Sequence, residues 1–209
     1  MRIGVDIGGS KILLVLVRES GHVEARIRFP TAATEPYPTI RDRIFRALEG
    51  LLAQAEAAGE PVRRIGIASA GQIEQGTGVI LFSPNLDWRD VPLKGDTEGR
   101  FGMPTTVEND ANAAVLGEWK FTLLESPGDV LGLFIGTGVG GGLIIGGRVY
   151  RGSFNVGVEA GHVIMNPQGY ECYCGGRGCL EAYCGGRYLV ERVRARIGMY
   201  VHHHGSGHA

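Results

Sequence analysis

The chain opens with two short runs of alternating and apolar residues, "RIGVDIG" and "KILLVLVRES", separated only by "GGS". A third run, "HVEARIRFP", follows Ser20 and Gly21, so the pattern predicts a strand, a hairpin turn, a second strand and a third. The period then changes. In "TIRDRIFRALEGLLAQAEAAG" apolar side chains recur at Ile40, Ile44, Leu48, Leu51 and Leu52, which is helical spacing, and Gly59 marks the end. "VRRIGIASA" reads as a buried strand, "SPNLDWRDVP" as a loop, and "GMPTTVEND" as another short strand. "DANAAVLGEWKF" reads as a helix capped by Asn109 or Asp110. The order then starts again: "DVLGLFIG", "GGGLIIGG" and "RVYRG" are three strands joined by glycine turns. "LEAYCGGRYLVERVRARIG" is helical in pattern, with Gly185 and Gly186 weakening its middle. Strand, glycine hairpin, two strands and helix thus occur twice, which suggests an internal duplication whose second copy stops early.

Composition narrows the function classes. A 44% hydrophobic share in 209 residues supports a folded core. Lys and Arg number 21 against 22 Asp and Glu, so no net field recruits nucleic acid or an anionic membrane, and small-molecule partners are expected. "ILLVLV" is far short of the roughly 20 apolar residues of a membrane span, and the N-terminal residues lack a secretory pattern, so a cytoplasmic protein is expected. In that reducing setting the four cysteines, all within "ECYCGGRGCLEAYC", point to metal binding or redox chemistry before disulfides. Cys172, Cys174, Cys179 and Cys184 would make a Cys₄ set by spacing alone. A redox pair is the weaker alternative because no C-x-x-C occurs.

Glycine, at 35 residues, is the compositional outlier, and it clusters between apolar runs. "DIGGSK" joins two strands where backbone N–H groups can approach an anion; Asp6 can serve Mg²⁺, and Ser10 and Lys11 can reach phosphate oxygens. An ordinary hairpin with a surface lysine reads equally well from these residues alone. "IGTGVGGG" satisfies G-x-G-x-x-G at Gly136, Gly138 and Gly141, with Glu159 roughly where a ribose acid would be sought. A dinucleotide fingerprint must open a helix, however, and "GLIIGGRVYRG" is β-rich, so a second phosphate hairpin is the better reading.

Taken together, "DIGGSK", "PNLDW", "VENDANAAVLGE", "FIGTGVGGGLIIGG", "VEAGH" and "CYCGGRGCLE" resemble, in order and spacing, the ROK family of bacterial sugar kinases and sugar-responsive repressors. The resemblance runs from Ile3 to about Arg196 and is glucokinase-like. It implies an α/β fold of the actin-like ATPase (ribonuclease H-like) type, with two lobes and a central cleft, divided here into residues 1–114 and 115–209. It implies ATP-dependent phosphorylation of a hexose, glucose foremost, at the 6-hydroxyl, with Asp110 as general base. Gly71, Asn109, Asp110, Glu159, His162 and Glu181 would bind the sugar. Asp6, Gly8, Gly9, Ser10, Lys11, Gly136, Thr137 and Gly138 would bind MgATP. His162, Cys172, Cys174 and Cys179 would hold a structural Zn²⁺, leaving Cys184 over. A homo-oligomer is expected.

Three departures qualify this reading. Ser10 stands where threonine is commoner, and Ala70 where many members carry proline. The chain is also shorter than family kinases, which predicts an incomplete second lobe and leaves open a truncated or non-catalytic sugar-binding protein. A sugar-responsive regulator of the same family is disfavoured, because no helix-turn-helix precedes "DIGGSK". The end "HHHGSGHA" carries four of the six histidines and reads as an unstructured or artificial tail, not a metal site.

Overall fold

The computed structural model describes residues 1–125 and 128–204, and two compact units are distinguished within it. The first comprises Met1–Ala114 together with Arg151–Gly157. Its strands β1 (Arg2–Ile7), β2 (Lys11–Val17), β3 (Val23–Pro30), β4 (Ile65–Ser69) and β8 (Thr105–Asn109) form one sheet in the order β3-β2-β1-β4-β8. The three N-terminal strands pair antiparallel through tight turns, whereas β4 and β8 join parallel to β1 after helical crossovers.

Alternation along β1 buries Ile3, Val5 and Ile7 on one face. Against them lies α1 (Tyr37–Ala57), whose Ile40, Ile44, Leu48 and Leu51 share the same core. The helix ends as its sequence predicts. Gly59 takes φ +70°, its N–H bonds the Glu56 carbonyl, and the Glu60 N–H reaches the Ala55 carbonyl, a Schellman closure that an L side chain would strain. The opposite sheet face carries Gly4, Asp6, Leu13, Val15, Gly66 and Ala68, which line a shallow, largely apolar groove of about 330 Å³.

Two elements depart from the sequence expectation. "SPNLDWRDVP" is not simply a loop: β6 (Ile80–Ser83) and β7 (Trp88–Val91) enter and leave it and, with β5 (Gln72–Ile73), form a second small sheet. α2 (Leu93–Phe101) was not expected at all; it buries only Leu93 and Thr97 and ends at Gly102 in the left-handed region. Residues 151–157 group with the first unit through Arg151 and through two side-chain amides. Gln72 Nε2 donates to the Phe154 carbonyl and Asn155 Nδ2 to that of Ile73.

The second unit, Val115–Tyr150 with Val158–Ala209, holds a three-stranded antiparallel sheet of β9 (Val130–Ile135), β10 (Val139–Ile145) and β11 (Arg148–Val149). The expected third strand is only two residues long. The helix starting at Asp110 is α3 (Asp110–Gly117), which passes into a π-helical turn over Glu118–Thr122 instead of continuing regularly. The C-terminal helical pattern splits at Gly185, whose ψ of 135° is extended, into α4 (Leu180–Cys184) and α5 (Gly186–His204). Residues 205–209 of the histidine-rich end lie outside the described residues, and α5 carries the backbone as far as His204.

Leu48 is fully buried beneath the sheet, whereas Arg46 is exposed on the same helix. Leu48→Ala is expected to cost about 2–5 kcal/mol in urea unfolding. Arg46→Ala is expected to stay within about 0.5 kcal/mol of the parent.

Candidate functional site

Register places the first unit's chemistry. Ile7 of β1 pairs with Ser69 of β4, and Ser69 pairs with Asn109 of β8, so three parallel strands end side by side. The turns leaving them hold the residues singled out from sequence: Gly8–Lys11, Ala70–Gly71 and Asp110. Carboxyl ends of parallel strands are where open α/β sheets bind ligands.

The first hairpin closes with the Gly8 N–H on the Lys11 carbonyl at 3.0 Å, and Thr31 braces it by donating Oγ1 to the Gly8 carbonyl at 2.6 Å and its N–H to that of Ser10. A Cβ on Gly9 would sit 3.0 Å from the Asn85 carbonyl oxygen, so glycine there lets the "PNLD" turn approach. Gly71 adopts φ +115°, and a Cβ would lie 2.8 Å from Ser83 Cβ, so this wall too requires glycine.

Asn109 caps α3: its Oδ1 accepts the N–H groups of Ala111 and Asn112 at 3.0 and 3.1 Å, while Nδ2 donates to the Gly71 carbonyl at 3.2 Å. The cap is therefore Asn109, and Asp110 occupies the first helical position, where Oδ1 accepts the Ala111 N–H at 2.9 Å. Burial raises the Asp110 pKa above the usual carboxylate value, against the lowering effect of backbone N–H groups. Asp6 is raised as well, first by burial and then by the Asp110 charge, with Lys11 opposing. Two carboxyls in one partly dry site disfavour each other's ionisation, which a divalent cation would relieve.

Sequence reasoning missed Glu108 and Arg151. Arg151 donates through Nε and Nη2 to Glu108 Oε2 at 2.8 and 2.6 Å, and Glu108 Oε1 accepts from the Asn109 N–H and from Asn112 Nδ2. This pair fixes the end of β8 immediately before Asp110. Nothing in a residue 43 positions away signals it.

In the second unit the Gly136–Gly138 turn joins β9 to β10 and opens a strand, not a helix, which accords with rejecting the dinucleotide fingerprint. The Gly136 N–H bonds the Gly138 carbonyl at 2.9 Å. The Gly186 and Arg187 N–H groups bond the carbonyls of Gly136 and Thr137, and the Val139 N–H donates to Glu181 Oε2 at 2.8 Å. Glu159 is exposed, and its carbonyl accepts the His162 N–H across the 3₁₀ turn Ala160–His162.

His162, Cys172, Cys174 and Cys179 converge, with one ligand atom from each lying within 4.8 Å of the others. Cys172 Sγ is 3.7 Å from His162 Nδ1, and Cys174 Sγ is 3.7 Å from Cys179 Sγ. A tetrahedral metal with bonds of about 2.3 Å needs ligand separations of about 3.8 Å, so the four residues fit zinc. Burial works against ionising Cys172, yet the Cys174 N–H, the Tyr188 hydroxyl and the Cys174 and His162 side chains together outweigh it and bring that thiol down to about 7. Burial, then the neighbouring Cys174 and Cys172, push Cys179 up to about 12, a state that a metal would reverse. Cys184 is not in the set; its thiol donates to the Leu180 carbonyl. The all-cysteine alternative is thus not what the geometry assembles.

The ROK family description matches residues 2–204. The glucokinase of Streptomyces coelicolor is 42% identical over 196 residues, 94% of this chain and 60% of that protein. The xylose repressor of Caldicellulosiruptor bescii is 33% identical over 179 residues, 86% of this chain and 45% of that protein. A solved ROK family glucokinase from Streptomyces griseus, in complex with glucose and AMPPNP, matches with a TM-score of 0.81 and 41% identity over 95% of this chain and 61% of that one. The chain spans about three fifths of the length of these glucokinases. Its fold is the α/β fold of that group, the actin-like ATPase type. With the match reaching from Arg2 to His204, the chain belongs to the ROK family.

Proposed function

We propose that this chain phosphorylates a hexose at its 6-hydroxyl with ATP, glucose being the sugar favoured by the glucokinase relatives. The observation that carries the reading is Asp110: a carboxylate at the first position of α3, directly after β8 and the Asn109 cap, desolvated, and within electrostatic reach of Asp6 beside the Gly8–Lys11 hairpin. Asp110 takes the hydroxyl proton as the sugar oxygen attacks the γ-phosphorus; the bond to the β-phosphate oxygen breaks and ADP leaves. Backbone N–H groups of the two glycine hairpins and the Lys11 ammonium stabilise charge on the phosphates.

Asn109 keeps one amide N–H beyond its bond to Gly71 for a sugar hydroxyl. We assign Gly71, Glu159, His162 and Glu181 to the sugar as well. Mg²⁺, when bound near Asp6, would neutralise phosphate charge; zinc at the four-residue cluster would be structural. The xylose repressor relative supports a second reading, in which the chain binds sugar without turning it over.

A coupled assay is expected to record glucose-dependent ADP release, falling about 10²–10⁴-fold in Asp110→Asn. Saturable sugar binding by calorimetry with no turnover at saturating MgATP would favour the second reading instead.

The raised Asp110 pKa also sets a direction with pH. The base must be ionised, so kcat/KM should fall on acidification through a pKa above that of an ordinary aspartate. For stability the sign is opposite: a raised folded-state pKa means the charged carboxylate destabilises at neutral pH and ceases to do so once protonated. Asp110→Asn should therefore raise the melting midpoint at pH 7, and the gain should vanish toward pH 3.

Metal analysis of the purified chain is expected to find about one zinc, a number set by one tetrahedral cluster. Cys174→Ser should lower both the zinc content and the melting midpoint, whereas Cys184→Ser should change neither.

A further inference from the structure

The Gly136–Gly138 hairpin makes few bonds of its own, yet three hydrogen bonds from one short segment grip it. Glu181 Oε2 accepts the Val139 N–H at 2.8 Å; Gly186 and Arg187 donate their N–H groups to the carbonyls of Gly136 and Thr137 at 2.8 and 3.0 Å. All three come from α4 and the first turn of α5, and α4 begins directly after Cys179 of the metal cluster. Space is matched as well. A Cβ on Gly138 would collide with the Glu181 carboxylate, and one on Gly186 would lie 2.7 Å from the Gly136 carbonyl oxygen. Gly161, next to His162, is closed in the same way: a Cβ there would lie 3.0 Å from Val139 Cβ. The two segments that carry the Cys/His cluster thus both press on the start of β10.

We propose that Glu181 is a positioning residue for the glycine hairpin, and that through it the Cys/His cluster fixes the backbone that would meet the ATP phosphates. The proposal rests on the kinase reading for its nucleotide, and it adds to a sugar contact at Glu181 a separate task for Oε2. A lone glycine hairpin samples many conformations, and phosphate binding by backbone N–H groups requires those groups to be pre-aligned. A carboxylate bond to a backbone N–H is among the stronger ways of aligning it. With the metal bound, Cys179 anchors the N-terminus of a five-residue helix too short to hold itself.

The test compares the zinc-loaded parent chain with Glu181→Ala, Glu181→Gln and Gly138→Ala, using amide hydrogen exchange without ligand and MgAMPPNP affinity by calorimetry. The glutamine keeps an acceptor oxygen and should preserve the hairpin. In Glu181→Ala the Val139 amide is expected to exchange about tenfold faster or more, and MgAMPPNP to bind about tenfold more weakly. Gly138→Ala, which displaces the carboxylate from the other side, should reproduce both changes, and the double variant should be no worse than either single one. Zinc removal should speed exchange of the same amide.

Unchanged Val139 exchange in Glu181→Ala overturns the proposal, as does loss of nucleotide affinity with Val139 still protected. A residue serving the sugar alone would lower sugar affinity and leave both readouts untouched, which also overturns it. If the exchange pattern holds but the parent chain binds no MgAMPPNP, the positioning role stands and the kinase reading fails.

Discussion

The parallel register of β1, β4 and β8 is the constraint on which the candidate site depends. Because Ile7, Ser69 and Asn109 lie in one row, the turns that follow them open at the same sheet edge. A slip of one residue would turn Ile3, Val5 and Ile7 from the α1 core to the opposite face and take Asp6 with them in the other direction. The apolar face that drives folding therefore determines where the acidic groups stand. Register is set by burial, and chemistry inherits it.

That inheritance has an energetic cost that is visible in the acids. Asp6 and Asp110 are both held above ordinary carboxylate behaviour by burial, and Asp6 also by its neighbour's charge. A site optimised for stability would not bring them together. Glu108 shows the contrasting case, since Arg151, Asn112 and a backbone N–H satisfy it and leave it structural. Of two carboxylates two positions apart, the less fully satisfied one is the better candidate for proton transfer. The same distinction separates Asn109, whose oxygen is spent on the cap, from Asp110, which spends one oxygen on a backbone N–H.

What could be read along the chain was whatever a local pattern records. The helix Tyr37–Ala57 was legible because its apolar residues repeat over many turns and a glycine closes it. The helix Leu93–Phe101 was not, since it buries two side chains and contains Gly95 and Gly99. Pro84 and Asn85 concealed two strands of four residues each, whose pairing supplies the order that their own sequences lack. The Cys/His cluster was legible because cysteine is rare here and crowded into fourteen positions; choosing His162 over Cys184 needed the family pattern. The Glu108–Arg151 and Glu181–Val139 bonds, 43 and 42 residues apart, leave no local trace.

The Cys/His cluster is better understood as part of a core than as an addition to one. Around it the second unit buries Cys172, Cys179, Ala182 and Tyr188, a set too small to hold a short helix and a glycine turn by apolar contact alone. Tyr188 shows how the parts are joined: its hydroxyl accepts the Tyr173 N–H at 2.7 Å and donates to Cys172 Sγ at 3.4 Å, so α5 is tied to a cysteine of the cluster. A metal at these residues would do what volume cannot, because coordination is strong, directional and needs few side chains. It follows that α4, the start of α5 and the glycine hairpin should behave as one cooperative piece whose order tracks occupancy of the cluster.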